Sequence, residues 1–264
     1  MPVRKLSPSF VEKLWGSTAL APWFPNPTEK TGEVWYHFDG SPLLVKFLFT
    51  TEKLSVQVHP DDAYAAVHEN GSKGKTEMWH ILRADPGASV ALGFKEPISP
   101  RRLKESAETG EIMELLNWIP AHAGDTFFVP AGTVHALGEG LALVEVQQFS
   151  DVTYRLYDYG RDRPLHLSQS MDVAVCGVYS KKAAPAGTIA SCDYFAVEKH
   201  VWSGLFPYVP ARHRFELLIV TEGTGTFDGM PYRAGECWLV EAGSEPFSIC
   251  TADTHLLRAY AGQA

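Results

Sequence analysis

Apolar runs of only four to nine residues, closed by glycine, proline or aspartate, recur along the whole chain and limit what it can fold into. The clearest span residues 43–49, 54–58, 78–82, 126–129, 141–149, 215–221 and 236–240. They are too short for buried helices and several alternate with period two, the pattern of strands with one buried face. Helical patterning is confined to residues 60–69, 99–116 and 167–175. In the second of these, Ser99 suits the N-cap and Pro100 the first helical position, while Leu103, Ile112, Leu115 and Leu116 offer an apolar face. The expectation is a mostly β protein with a few short helices.

An internal repeat sharpens that expectation. Gly124, Pro130, Gly132 and His135 mark a Gly-x5-Pro-x-Gly-x2-His segment, and Gly235 to Pro246 repeats its spacing with Glu241 in the place of Pro130 and Pro246 in the place of His135. Residues 215–229 share the strand, turn, strand layout of 77–93, with Phe215 near the position of Glu77. Two small barrels in tandem account for length, strand content and repeat together. Residues 181–187, KKAAPAG, make the best linker, so the expected division is 1–185 for a metal-binding catalytic domain and 186–264 for a degenerate second domain without ligands.

Composition narrows the classes of function. A net charge of −8 supplies no basic face for phosphate backbones, so nucleic acid is not an expected partner. No apolar run approaches the roughly 20 residues needed to span a bilayer. Cys176, Cys192, Cys237 and Cys250 lack CxxC spacing, and residues 1–10 hold no long apolar segment, which reads as reduced thiols in a cytoplasmic protein.

The chemistry is concentrated in four residues. Gln57 and His59 stand two apart in a strand-like run, so both leave the same face. Glu77 opens the next strand and His135 another, which is how a barrel gathers distant donors in its mouth. Each residue alone has a dull explanation as a turn cap or strand end. Together they offer two imidazoles, a carboxylate and an amide to one divalent cation, with positions left open for water or substrate. His80, three residues beyond Glu77, falls on the opposite face and reads as a packed or surface histidine.

The stretches LSVQVHPDDAYA (54–65), GKTEMWHIL (74–82), PAGTVHALG (130–138) and EVQQFSDVTYRLYDYGR (145–161) resemble type I mannose-6-phosphate isomerases, in their compact bacterial form. The resemblance implies tandem cupin (jelly-roll) barrels and one Zn2+ per chain, used to interconvert mannose 6-phosphate and fructose 6-phosphate through an enediolate. It makes His59, Glu77 and His135 metal ligands with Gln57 a further one, gives Arg155 the role of active-site arginine, and sets Ser55 and Lys75 in the substrate pocket. Moving a carbonyl between C1 and C2 also needs a general base, for which Glu145 and Asp151 are candidates. A small phosphorylated sugar is the expected partner, and the oligomeric state stays open with a monomer favoured. Two other classes compete: an Fe(II) oxygenase, which suits two histidines and a carboxylate, and a sugar-binding cupin without catalysis.

Overall fold

The computed structural model of the chain describes residues 2–181 and 183–262. It is mostly β with four short helices among the described residues, and it divides into two compact units. One holds Leu14–Gly16 and Leu48–Lys182, the other Met1–Lys13, Ser17–Phe47 and Ala183–Ala264. The first 47 residues depart from a simple 1–185 and 186–264 division, because most of them group with the C-terminal unit. Among them, Val3–Lys5 lies antiparallel to the strand Cys237–Val240, with Lys5 opposite Trp238. Local alternation cannot show which distant strand an N-terminal segment will join.

In the unit that carries the expected ligands, one sheet runs Tyr154–Tyr157, Val56–Val58, His135–Leu137, Ser89–Phe94 and Leu116–Pro120, in that order. Against it lie Leu141–Gln148, Glu77–Ala84 and Thr126–Val129, paired in sequence. Trp79, Ile81, Phe127 and Leu143 from the second sheet interlock with Val90, Leu92 and Leu137 from the first in one buried cluster. The alternate residues Val56, Val58, Ala91, Ala136, Tyr154 and Leu156 turn to the far side of the first sheet, where Leu103, Ile112 and Leu167 cover them. Both faces of that sheet are therefore buried, and its apolar residues alternate between two cores. No sheet closes on itself among the described residues, so the expected barrels are realised as facing open sheets.

The other unit is built on a sheet in the order Val3–Lys5, Cys237–Val240, Glu216–Phe227, Phe247–Ala261, Phe195–Tyr208 and Ala190–Ser191, with Met230–Arg233 on the side of Glu216–Phe227. Leu218, Val220, Phe227, Trp238, Ile249 and Leu256 form its core. The repeat is visible in the backbone. Gly124 and Gly132 flank the strand Thr126–Val129 at φ of 92° and 83°, and Gly235 and Gly243 flank Cys237–Val240 at 90° and 73°. All four sit in the left-handed region that glycine enters without penalty.

The expected helix over 99–116 is two pieces, Pro100–Thr109 and Ile112–Leu115, followed directly by the strand Leu116–Pro120. Its start is as read, with Ser99 Oγ accepting from the Arg102 amide and Pro100 at the first position. Gly110 ends the first piece at φ 84°, and a Cβ there would meet the Tyr157 hydroxyl at 2.8 Å. That left-handed cap turns the chain before the apolar face is complete.

Candidate metal centre

Gln57 lies between Val56 and Val58, both directed to the helix-covered core, so its side chain enters the space between the sheets. It is paired with His135 on one side and Arg155 on the other. Directly opposed residues share a face, so Arg155, Gln57 and His135 form one row. Across the gap Glu77 points inward with Trp79 and Ile81, while Glu145 is paired with Trp79 and Gln147 with Glu77. His59 follows the Gln57 strand, and its carbonyl accepts from the Gly132 amide at 2.8 Å, which ties it to the Pro130–Thr133 turn that delivers His135.

The proton positions follow from the hydrogen bonds. His59 Nδ1 donates to the Val152 carbonyl at 2.9 Å and His135 Nδ1 to the Thr133 carbonyl at 2.8 Å. A carbonyl only accepts, so each ring carries its proton on Nδ1 and keeps the Nε2 lone pair for the interior. Burial lowers the His135 pKa to about 4, so this imidazole is neutral at physiological pH. His59 Nε2 is 3.5 Å from Glu77 Oε2, and His135 Nε2 is 3.5 Å from Glu77 Oε1. Donors held by one tetrahedral zinc at 2.0–2.1 Å stand about 3.4 Å apart.

Two further observations test whether a cation fits. Glu77 Oε1 is buried without a hydrogen-bond partner, an arrangement that costs a carboxylate several kcal/mol unless a cation completes it. The Lys75 ammonium stands 2.6 Å from Glu77 Oε2 and 3.1 Å from His59 Nε2, so these donors already gather around positive charge. The three residues His59, Glu77 and His135 are all buried, and their donor atoms lie within 4.8 Å of one another. They fit a divalent metal.

The remaining expected site residues divide. Gln57 reaches the cluster, with Nε2 3.2 Å from His135 Nε2 and Oε1 accepting from Ser55 Oγ at 3.4 Å. Glu145 is buried, accepts from the Trp79 indole N–H at 3.0 Å and lies 3.7 Å from Lys75 Nζ. Arg155 is half-buried, donates from Nη1 to the Pro164 carbonyl at 2.8 Å, and has a buried Nε without a partner. Its pKa is lowered by burial and by the neighbouring Arg163. Asp151 is exposed, on a loop anchored through Ser150 Oγ to the Lys73 carbonyl and through Val152 to His59. The structure thus gathers Glu145 into the cluster and leaves the Asp151 carboxylate on the surface. His80 lies on the opposite face of its strand, with Nδ1 2.9 Å from Thr126 Oγ1.

Sequence reading missed Trp79 and Gln147. Trp79 joins Glu145 to His135, whose ring it meets edge-on at 5.5 Å. Its signal is period-two spacing from Glu77. Gln147 is fully buried, its amide held by the Gln148 and Ser150 carbonyls, with Oε1 unpartnered.

The other unit carries a counterpart of this site that spacing misplaces by one residue. Glu77 pairs with Val129, and in the repeat it is Glu216, not Phe215, that pairs with the equivalent Val240. The carboxylate is therefore retained. Arg214 stands two residues before it, as Lys75 does before Glu77. Arg258, opposite Leu218, occupies the place of Glu145 opposite Trp79. Glu216 Oε2 accepts from Tyr208 at 2.8 Å, and Arg258 Nη1 lies 3.6 Å from Oε1. A guanidinium supplies the positive charge there.

Two imidazoles and a carboxylate converging between facing antiparallel sheets, with an inner-face lysine and arginine, define a cupin with a metal-type centre. No protein-family model matches the chain. The mannose-6-phosphate isomerase ManA of Bacillus subtilis is 34% identical over 297 residues, covering 92% of this chain and 94% of that protein. The mannose-6-phosphate isomerase of Streptococcus mutans is 49% identical over 178 residues, 62% of this chain and 55% of that one. The crystal structure of the Bacillus subtilis mannose 6-phosphate isomerase superposes with a TM-score of 0.86 at 30% identity, over 98% of this chain and 99% of the other. The chain belongs to the mannose-6-phosphate isomerase family and is an aldose-ketose isomerase. That membership displaces the oxygenase and the non-catalytic sugar-binding alternatives.

Proposed function

We propose that this chain interconverts mannose 6-phosphate and fructose 6-phosphate at the site between its facing sheets, with one Zn2+ held by His59, Glu77, His135 and Gln57. The observation that carries the reading is Glu77 Oε1, buried without a donor and facing an imidazole lone pair. A half-turn of the Gln57 amide, which leaves its shape unchanged, directs its oxygen to the same point. The bound cation supplies a Lewis acid beside the sugar carbonyl. All the proposed residues lie in one unit of one chain, so a monomer suffices. The guanidinium beside Glu216 accounts for a single metal per chain.

The protein's own groups divide the remaining work. Glu145 is the base that carries the proton between C1 and C2; its burial beside Lys75 favours it over the exposed Asp151. Lys75 supplies fixed positive charge to the sugar oxygens on which negative charge develops. Arg155 stands in the row of Gln57 and His135, where its fork suits a phosphate or an enediolate. Ser55 orients Gln57 and borders the sugar. Four free cysteines accord with a reducing cytoplasm, and no described helix is long and apolar enough to cross a membrane.

The test is an NMR assay of mannose 6-phosphate turnover by protein stripped with chelator and then reloaded. Activity lost on chelation and restored by zinc is expected. A folded, zinc-loaded protein that forms no fructose 6-phosphate would refute the proposal.

A further inference from the structure

We infer that Trp79 is a positioning residue for proton transfer, acting through Glu145; this rests on the role just proposed for that carboxylate. Trp79 and Glu145 are directly opposed on neighbouring antiparallel strands, both facing the interior. Trp79 is 1% exposed and Glu145 4%. The indole Nε1–H donates to Glu145 Oε2 at 3.0 Å, while Oε1 is the oxygen 3.7 Å from Lys75 Nζ. A carboxylate on a two-carbon stem otherwise turns about its last bond, since that torsion is broad. Tying one oxygen to a rigid ring selects which oxygen faces the lysine and the substrate.

The same ring meets His135 edge-on, with centroids 5.5 Å apart and planes at 66°. The indole therefore has two separable parts. Its π-system packs against the imidazole of a metal ligand, and its N–H aims the base. Phenylalanine at this position keeps an aromatic ring and removes the donor. The isosteric 3-benzothienylalanine keeps the entire outline and replaces N–H with sulfur.

The experiment measures kcat, KM and bound zinc for W79F, for 3-benzothienylalanine at position 79, for E145Q and for W79F combined with E145Q. Both Trp79 replacements are expected to retain zinc and to leave KM for mannose 6-phosphate within about twofold, while kcat falls roughly tenfold, the size of a lost hydrogen bond to a charged group. In the E145Q background W79F should lower kcat no further, because the carboxylate it aims is already gone. Wild-type kcat with the benzothienyl side chain, which preserves packing even if W79F does not fold, overturns the inference. So does an additive effect of W79F on E145Q. Full activity of E145Q itself would instead overturn the assignment of the base, and is read separately from the Trp79 variants.

Discussion

Replacing Lys75 with methionine probes how the site balances its charge. In the structure the Lys75 and Glu77 side chains are only 5% and 1% exposed and sit 2.6 Å apart, with Glu145 3.7 Å from the same ammonium. Methionine preserves the volume of the stem and removes the charge. In chelator-treated protein the carboxylates then lose a buried cation, a change that costs about 3–5 kcal/mol. At about 2–4 °C per kcal/mol for a chain of this size, chelator-treated K75M is expected to unfold roughly 6 to 20 °C below the chelator-treated wild type at pH 7. Saturating zinc restores positive charge and should bring the two melting temperatures together, while isomerase activity stays lost. Thermal melts at pH 7, with and without zinc, read all of this. Equal stability of the two chelated proteins, or a loss that zinc does not reverse, would refute the reasoning.

Two other outcomes follow from the same geometry. His135 has its pKa lowered to about 4 by burial, against an ordinary value of 6.5. Because the unfolded chain takes up this proton first, chelated protein should lose up to about 3 kcal/mol of stability as pH falls from 6.5 towards 4, measured by urea unfolding, and His135→Gln should flatten that dependence. Arg155→Ala is expected to keep its zinc by elemental analysis and to lose at least about a hundredfold in kcat/KM, a few kcal/mol of charge stabilisation; normal turnover would remove Arg155 from the site.

Much of the centre was legible in the chain because its information is local. The separation of Gln57 from His59 implied a common face, and the Pro130–His135 turn announced a strand opening with histidine. His80 was correctly kept apart by its odd spacing from Glu77. What escaped depended on partners far along the chain. Trp79 matters through Glu145, sixty-six residues later. Glu145 and Asp151, six residues apart, were equal candidates until strand pairing buried one and a loop exposed the other. The helix over 99–116 was sound in its cap and broken only where Gly110 meets Tyr157.

The amino-acid sequence by itself determined the β character, the repeat and the choice of His59, Glu77 and His135 as candidate donors, since periodicity, turn glycines and ligand chemistry reside in neighbouring residues. Tertiary structure alone decided which strands pair. It sent most of the first 47 residues to the C-terminal unit and set Glu216, rather than Phe215, in the place of Glu77. The reason is that a strand's period of two fixes the residues that share its faces but leaves open which strand it joins and in which register, and a slip of one residue exchanges one face for the other.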